Sequence, residues 1–211
     1  MPGRLFDQSP HNHDYFSEVT TDLGAYLLGL IAADGCVRPV GRKKMGREIR
    51  LKLRLKDKHL VELARDALAP TAQVHEWAGD AVLQFNSVKM AADLAQWEVV
   101  PMKTYSYTWP DGLAARWARS FILGYFDGNG YAGYPSRGNL APYAQWVLSG
   151  REEFLLRTAS VIEAGCGVRP AGPYKYETYG AKVKAVANRA LAIDGWLHAG
   201  PVSGLQRKRL Q

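Results

Sequence analysis

Cysteine is nearly absent: the 211 residues hold two, Cys36 and Cys166, far apart and in no paired spacing. That excludes a disulfide framework and a zinc site built on thiolates, and it fits a reducing compartment. No apolar run approaches the ~20 residues of a transmembrane helix, and the N-terminus carries no signal-peptide pattern. The expectation is a soluble, cytoplasmic protein without membrane contact. Acidic residues are also short. Twenty Asp and Glu face 27 Lys and Arg, giving a formal charge of +7 and a pI near 9.4. That sign of imbalance points to an anionic partner. Apolar residues at 47% suffice for a core.

What the chain does hold is one stretch written twice. Ala25-Tyr-Leu-Leu-Gly-Leu-Ile-Ala-Ala-Asp-Gly35 returns 95 residues later as Ser120-Phe-Ile-Leu-Gly-Tyr-Phe-Asp-Gly-Asn-Gly130. Small residues recur at every fourth position, as Ala25, Gly29, Ala33 and as Ser120, Gly124, Gly128. On a helix this makes one smooth stripe, ~6 Å per step, against which another backbone can lie very close. Leu27, Leu28 and Ile31, like Ile122, Leu123 and Phe126, flank the stripe and face a core. Two such helices are expected to pack stripe to stripe about a pseudo-two-fold axis.

That packing joins the two helix ends. The first ends in Asp34 followed by Gly35, taken as a helix stop. A carboxylate there adds to the negative end of the macrodipole. With little in the motif to neutralise it, a divalent cation is expected, and Mg²⁺ takes hard oxygen ligands.

Residues 37–58 carry ten basic side chains against Glu48 and Asp57, a local charge of +8. Within them Ile49-Arg-Leu-Lys-Leu-Arg-Leu-Lys56 alternates without a fault, which predicts a strand with Ile49, Leu51, Leu53 and Leu55 inward. A single-sign row opposes itself and suits phosphates, so Arg38, Arg42, Lys43, Lys44, Arg47, Arg50, Lys52, Arg54 and Lys56 are the candidate DNA contacts. A β-ribbon of this kind fits the major groove.

Lys58–Ala69 reads as an amphipathic helix stopped by Pro70, then strands Gln73–Trp77 and Ala81–Asn86 about a Gly79-Asp80 turn. Ser87 is placed to cap a helix running to about Trp97. In the second half, Tyr131–Arg137 and Tyr143–Ser149 read as strands, Arg151–Ala164 as a helix, and Val168–Thr178 with Ala181–Ala187 as a hairpin. Lys175, Lys182, Lys184 and Arg189 supply its charge and a set of tyrosines its contact surface. Residues 1–20 read as a loose polar arm, in which His11-Asn12-His13 is coincidental rather than a metal site.

The repeated stretches resemble the nine-residue motif of the LAGLIDADG homing endonucleases in their single-chain, two-repeat form. The motif positions are Leu27–Gly35 and Ile122–Gly130, and the likeness runs from about residue 23 to 209. It implies an α+β fold of two pseudo-symmetric αββαββα halves, each with a saddle-like antiparallel sheet, joined at the packed motif helices. The expected division is an arm 1–20, repeats 21–98 and 113–211, and a linker 99–112. The implied activity is Mg²⁺-dependent hydrolysis of double-stranded DNA by a monomer, with Mn²⁺ able to substitute and no small-molecule cofactor.

The eighth motif positions imply metal ligands at Asp34 and Asn129, aided by backbone near Ala33 and Gly128. Asn129 departs from the usual carboxylate. Lys103, in a Pro-x-Lys-Thr linker, and Lys208, in a closing Leu-x-Arg-Lys, resemble the family's paired active-site lysines, with Arg207 a rival for the second. Asp127 lies about 200° around the helix from Asn129 and is not expected to share its role. Gln84 and Gln145 are candidate water-positioning and DNA-contact groups on strands. The alternative is a DNA-binding protein or RNA maturase that keeps the fold without cutting.

Overall fold

The computed structural model describes residues 11–41, 45–136, 141–176 and 180–210. Helix α1 (Asp22–Asp34) leads directly into β1 (Gly35–Val40) and β2 (Gly46–Arg54). Helix α2 (Lys58–Leu68), the hairpin β3 (Val74–Trp77) and β4 (Asp80–Asn86), and α3 (Val88–Gln96) complete the first half. The second half repeats the order: α4 (Ala118–Asn129), β5 (Gly130–Gly133), β6 (Gln145–Gly150), α5 (Glu152–Cys166), β7 (Ala171–Lys175), β8 (Ala181–Val186) and α6 (Ala187–Leu197). Each half folds one antiparallel sheet, in the orders β1-β2-β4-β3 and β5-β6-β8-β7. The same strand sequence in both sheets is the pseudo-symmetry that the repeat implies.

Helices α1 and α4 form the seam. A methyl group on Gly29 would collide with the Phe121 carbonyl oxygen and lie 2.8 Å from the Tyr125 amide nitrogen. One on Gly124 would collide with the Tyr26 carbonyl and lie 2.9 Å from the Leu30 amide. Backbone meets backbone at both central glycines, so the small stripe works as the spacing requires. Thr21 caps α1 by accepting from the Gly24 amide, and Ser120 Oγ donates to Asp22 across the seam at 2.5 Å. Glycine at position 35 is not a left-handed stop, since its φ is −75°. It is there because a Cβ would press into Ile31 as the chain turns from helix to strand.

Three expectations shift. The basic strand ends at Arg54, and Leu55–Asp57 form a 3₁₀ turn, so Leu55 is exposed rather than inward and Lys56 leaves the row. The β3–β4 turn is Ala78-Gly79, both at positive φ, which frees Asp80 to start β4. The arm is not loose from residue 11 onward: Phe16 is fully buried, Val19 nearly so, and the Phe16 carbonyl accepts from Trp97 Nε1 at 2.6 Å. His13 Nδ1 lies 2.7 Å from the hydroxyl of Ser87, which also caps α3 by accepting from the Met90 amide. Arg42, Lys43, Lys44, Arg137, Thr178 and Tyr179 lie outside the described residues.

Candidate active site at the joined helix ends

The close approach of α1 and α4 sets Asp34 against Gly128 at the joined helix ends, where two pockets open. The first, about 360 Å³, is lined by Asp34, Asp57, Asp80, Asp127, Lys52, Arg54, Arg207 and Lys208 among others. The second, about 350 Å³, lies against Asn129, Lys103 and Arg151. The two repeats have therefore built unlike sites. The Asp34 pocket mixes four carboxylates with four cations, whereas no carboxylate occurs among the described residues lining the Asn129 pocket.

Asp34 projects from the last turn of α1 against the end of α4, so closely that a methyl on Gly128 would lie 2.9 Å from its Oδ2. Its surroundings desolvate the carboxyl and raise its pKa, and Lys208 and then Lys103 pull it back. Asp127, placed outside the site by its helical phase, nevertheless lines the same pocket. It is 3% exposed; Oδ2 accepts from Tyr26 Oη at 2.7 Å and from the Leu205 amide at 2.9 Å, while Oδ1 has no partner. Burial pushes its carboxyl up to about 6, with those two donors acting against the rise.

The two lysines occupy equivalent places. Lys103 Nζ donates to the Gly35 carbonyl at 2.6 Å, at the end of α1. Lys208 Nζ donates to the Asp127 carbonyl at 2.5 Å and to Phe126 at 3.2 Å, at the end of α4. Each ammonium thus sits on the negative end of a motif helix. This corrects the expectation that those ends hold little to neutralise them. Burial lowers both lysines, Lys208 to about 8 with Asp127 opposing the shift. Arg207 is not the equivalent of Lys103, because it is committed to Asp57 in a two-point ion pair (Nε–Oδ1 2.8 Å, Nη2–Oδ2 2.5 Å). Burial alone would raise Asp57; Arg207 holds it below the ordinary carboxylate range.

The basic row of β2 faces the open side of its sheet but does not stand alone. Register sets Arg54 opposite Asp80 and Glu48 between Arg38 and Asn86. Lys52 and Arg54 both reach Asp80, at 2.9 and 3.3 Å, and Arg38 reaches the buried Glu48 at 2.5 Å. Gln84 donates to the same Glu48 at 2.8 Å. Arg50 is half-buried and its Nε has no hydrogen-bond partner. Neither Gln84 nor Gln145 lines either pocket. Sequence reasoning missed Asp80 as a counter-ion, although the turn shift that places it opposite Arg54 was a matter of one residue.

On the second sheet, Lys184 lies over the Tyr174 ring at 5.0 Å and Lys182 over Tyr176 at 5.7 Å. Lys175 is paired with Glu152 at 2.6 Å. Trp146 is entirely buried, stacked on Phe126 at 5.2 Å.

No protein-family model matches the chain, and no curated protein matches its sequence. Solved structures do match its shape. The LAGLIDADG homing endonuclease I-GzeII, in complex with a DNA target, superposes with a TM-score of 0.63 at 10% identity, over 90% of this chain and 87% of that one. The meganuclease I-SmaMI bound to uncleavable DNA gives 0.59 at 9% identity, covering 89% and 88%. The LAGLIDADG meganuclease I-AabMI bound to uncleaved DNA gives 0.54 at 12%, covering 90% and 87%. At such identities the likeness is one of architecture. The protein has the fold of the LAGLIDADG homing endonucleases, with both repeats carried in one chain.

Proposed function

We propose that the protein is a site-specific DNA endonuclease of homing type, acting as a monomer on a long asymmetric duplex target. The observation that carries this reading is the position of Asp34. It sits at the seam between the two halves, in a pocket that sets four cations among its carboxylates, on the fold of nucleases solved with DNA. Non-specific attraction would come from the β2 row and from Lys182 and Lys184.

The donors at the Asp34 pocket suit Mg²⁺ or Mn²⁺. Asp34 offers a carboxylate, and the carboxyl of Asp127, largely enclosed in protein, borders the same pocket. Among the described residues no three His, Cys, Asp or Glu side chains converge on one point. An ion held here would draw its remaining oxygens from phosphate and water, as Mg²⁺ sites commonly do. When bound, it would stabilise charge on the attacking and leaving oxygens of a phosphodiester. Lys208, with a pKa near 8, holds its ammonium over the end of α4, ready to favour negative charge on a phosphate in the pocket.

On the other flank Asn129 supplies only an amide oxygen, and Lys103 and Arg151 are the charged groups there. A cation is much less favoured in that pocket, so the two strands are expected to be cut unequally. The same observation supports a second reading, a DNA-binding protein or RNA maturase without cleavage. Retention of both lysines does not argue against it, because each has structural work at a helix end.

The test is incubation with a randomised duplex library in Mg²⁺ or Mn²⁺, sequencing bound and cut fractions separately. Specific cuts that vanish in Asp34→Asn support the endonuclease. Specific binding without any cut supports the second reading.

A further inference from the structure

Lys103 and Lys208 stand at equivalent helix ends, but their segments are held there by different means. The Lys103 segment is fixed by its own backbone. The Lys103 amide donates to the Val100 carbonyl at 3.2 Å, and the Tyr107 amide donates to the Lys103 carbonyl at 2.8 Å. Buried Val99 and Tyr107 anchor it on either side. Residues 205–210 hold a single 3₁₀ turn, Gln206–Lys208, and lean on carboxylates instead. At one end the Leu205 amide donates to Asp127 Oδ2 at 2.9 Å; at the other the Leu210 amide donates to Asp194 Oδ2 at 3.0 Å. Leu205 and Leu210 are themselves buried, so the segment is a strap closed at both ends, with Lys208 in its span. Before Lys208, Arg207 is also tied to Asp57. After it, the carboxylate anchor is Asp194.

Asp194 lies on α6 beside the buried Ile193 and is 2% exposed. Its Oδ1 makes no hydrogen bond, and neither does His198 Nε2, 3.6 Å away. Burial lowers the pKa of His198 to about 4, so this ring brings no counter-charge. Burial likewise raises the Asp194 carboxyl to about 6, and the Leu210 amide and then the charge of Arg209 act against the rise. Both of those groups belong to the strap. A buried carboxylate without a paired cation is costly, and an apolar side chain would fill the same place on α6 without that cost. What the carboxylate adds is a strong acceptor for the strap.

We propose that Asp194 is a positioning residue for Lys208: through the Leu210 amide it fixes the far end of the strap and keeps the Lys208 ammonium on the carbonyls that end α4. Those carbonyls are Asp127 at 2.5 Å, Phe126 at 3.2 Å and Gly128 at 3.4 Å. A lysine stem is flexible, so its ammonium keeps such a place only while its backbone is held. The use of Lys208 toward a phosphate rests on the endonuclease reading above; the strap itself does not.

Lysine acylation by a limiting dose of acetic anhydride, read by mass spectrometry on the whole chain, tests the strap. Asp194→Ala should raise acylation of Lys208 relative to Lys103 by about tenfold, the loss of one hydrogen bond to a charged acceptor. Asp194→Asn, which keeps an acceptor oxygen, should restore most of the protection. Leu210→Pro removes the same bond from the donor side and should match Asp194→Ala. The preceding Arg209 already has the extended backbone that a following proline requires, with φ −96° and ψ 131°. Leu210→Pro decides alone should Asp194→Ala fail to fold. On a duplex that wild type cuts, Asp194→Ala and Leu210→Pro should slow cutting about as much, because the competent fraction falls in the same proportion.

Unchanged acylation of Lys208 would overturn the proposal. So would an equal rise at Lys103, which would make Asp194 a stabiliser of the whole fold. Cutting that stays at the wild-type rate while Lys208 is released would overturn the positioning role. Acylation as expected, with no duplex cut even by wild type, would keep the strap and sink the endonuclease reading instead.

Discussion

Tyr26 of α1 and Asp127 of α4 join the two halves through a buried hydrogen bond, the Tyr26 hydroxyl donating to Asp127 Oδ2 at 2.7 Å. The residues are 101 positions apart, and neither repeat-equivalent position, Phe121 and Ala32 respectively, carries a hydrogen-bonding side chain. The seam is thus symmetric in backbone and asymmetric in chemistry. Asp127 also accepts from the Leu205 amide, so the segment that carries Lys208 is tied to the same carboxylate.

This relationship sets a pH dependence. The folded carboxyl of Asp127 titrates near 6, above its ordinary 3.8, so the folded state holds that proton longer than the unfolded chain. The contribution is full below about pH 3.8 and is lost as pH rises through 6, by up to ~3 kcal/mol. Asp127→Asn should therefore gain on wild type between pH 4 and 7 by an amount of that order. Tyr26→Phe should cost ~1.5–3 kcal/mol at pH 7 and less at pH 4. Urea unfolding of the three proteins at both pH values checks this. A difference between wild type and Asp127→Asn that is the same at pH 4 and 7 would contradict it.

The seam tolerates no side chain at its two central glycines. Gly29→Ala and Gly124→Ala each place a methyl on a carbonyl oxygen of the opposing helix. Each should cost ~1–3 kcal/mol or more, through overpacking that the backbone cannot relieve by changing a rotamer. Thermal unfolding measures it. Melting temperatures within a degree of wild type for both variants would mean that the helices are farther apart than described.

Asp80 should act as a brake on DNA affinity. It holds Lys52 and Arg54 together, and the hydrogen bond from Lys52 heads the causes that lower its pKa. Asp80→Asn releases both cations to phosphate. The slope of log affinity against log salt should steepen by up to ~1.8, at ~0.9 per added phosphate contact. Filter binding or anisotropy across a salt series reads it. A flatter slope in the variant would show that Asp80 orients the cations rather than competing for them.

Much of this architecture was legible in the residues. The small positions at 25, 29 and 33 and at 120, 124 and 128 fixed both the helix pair and its face, because only backbone contact needs that spacing. Alternation gave β2 as far as Arg54. The counter-ions were hidden because Asp80 comes from another strand, and a one-residue error in the turn moved it from sheet to loop. Asp127 was set aside by helical phase. The angle was sound, but the pocket also reaches the side of α4 from which Asp127 points. The packed segment 11–20 was missed because two apolar residues, Phe16 and Val19, anchor an otherwise polar stretch.

On the reading proposed above, the two repeats have diverged into a faster hydrolytic pocket at Asp34 and a slower one at Asn129. The most direct measurement is a strand-resolved time course. A supercoiled plasmid carrying a target selected from the random library is incubated in Mg²⁺, and each strand is labelled separately. Wild type should accumulate nicked circles with one strand cut first, Asp34→Asn should abolish that cut, and Asn129→Asp should speed the slower strand. Simultaneous cutting of both strands by wild type, or first-strand cutting that survives Asp34→Asn, would contradict the account.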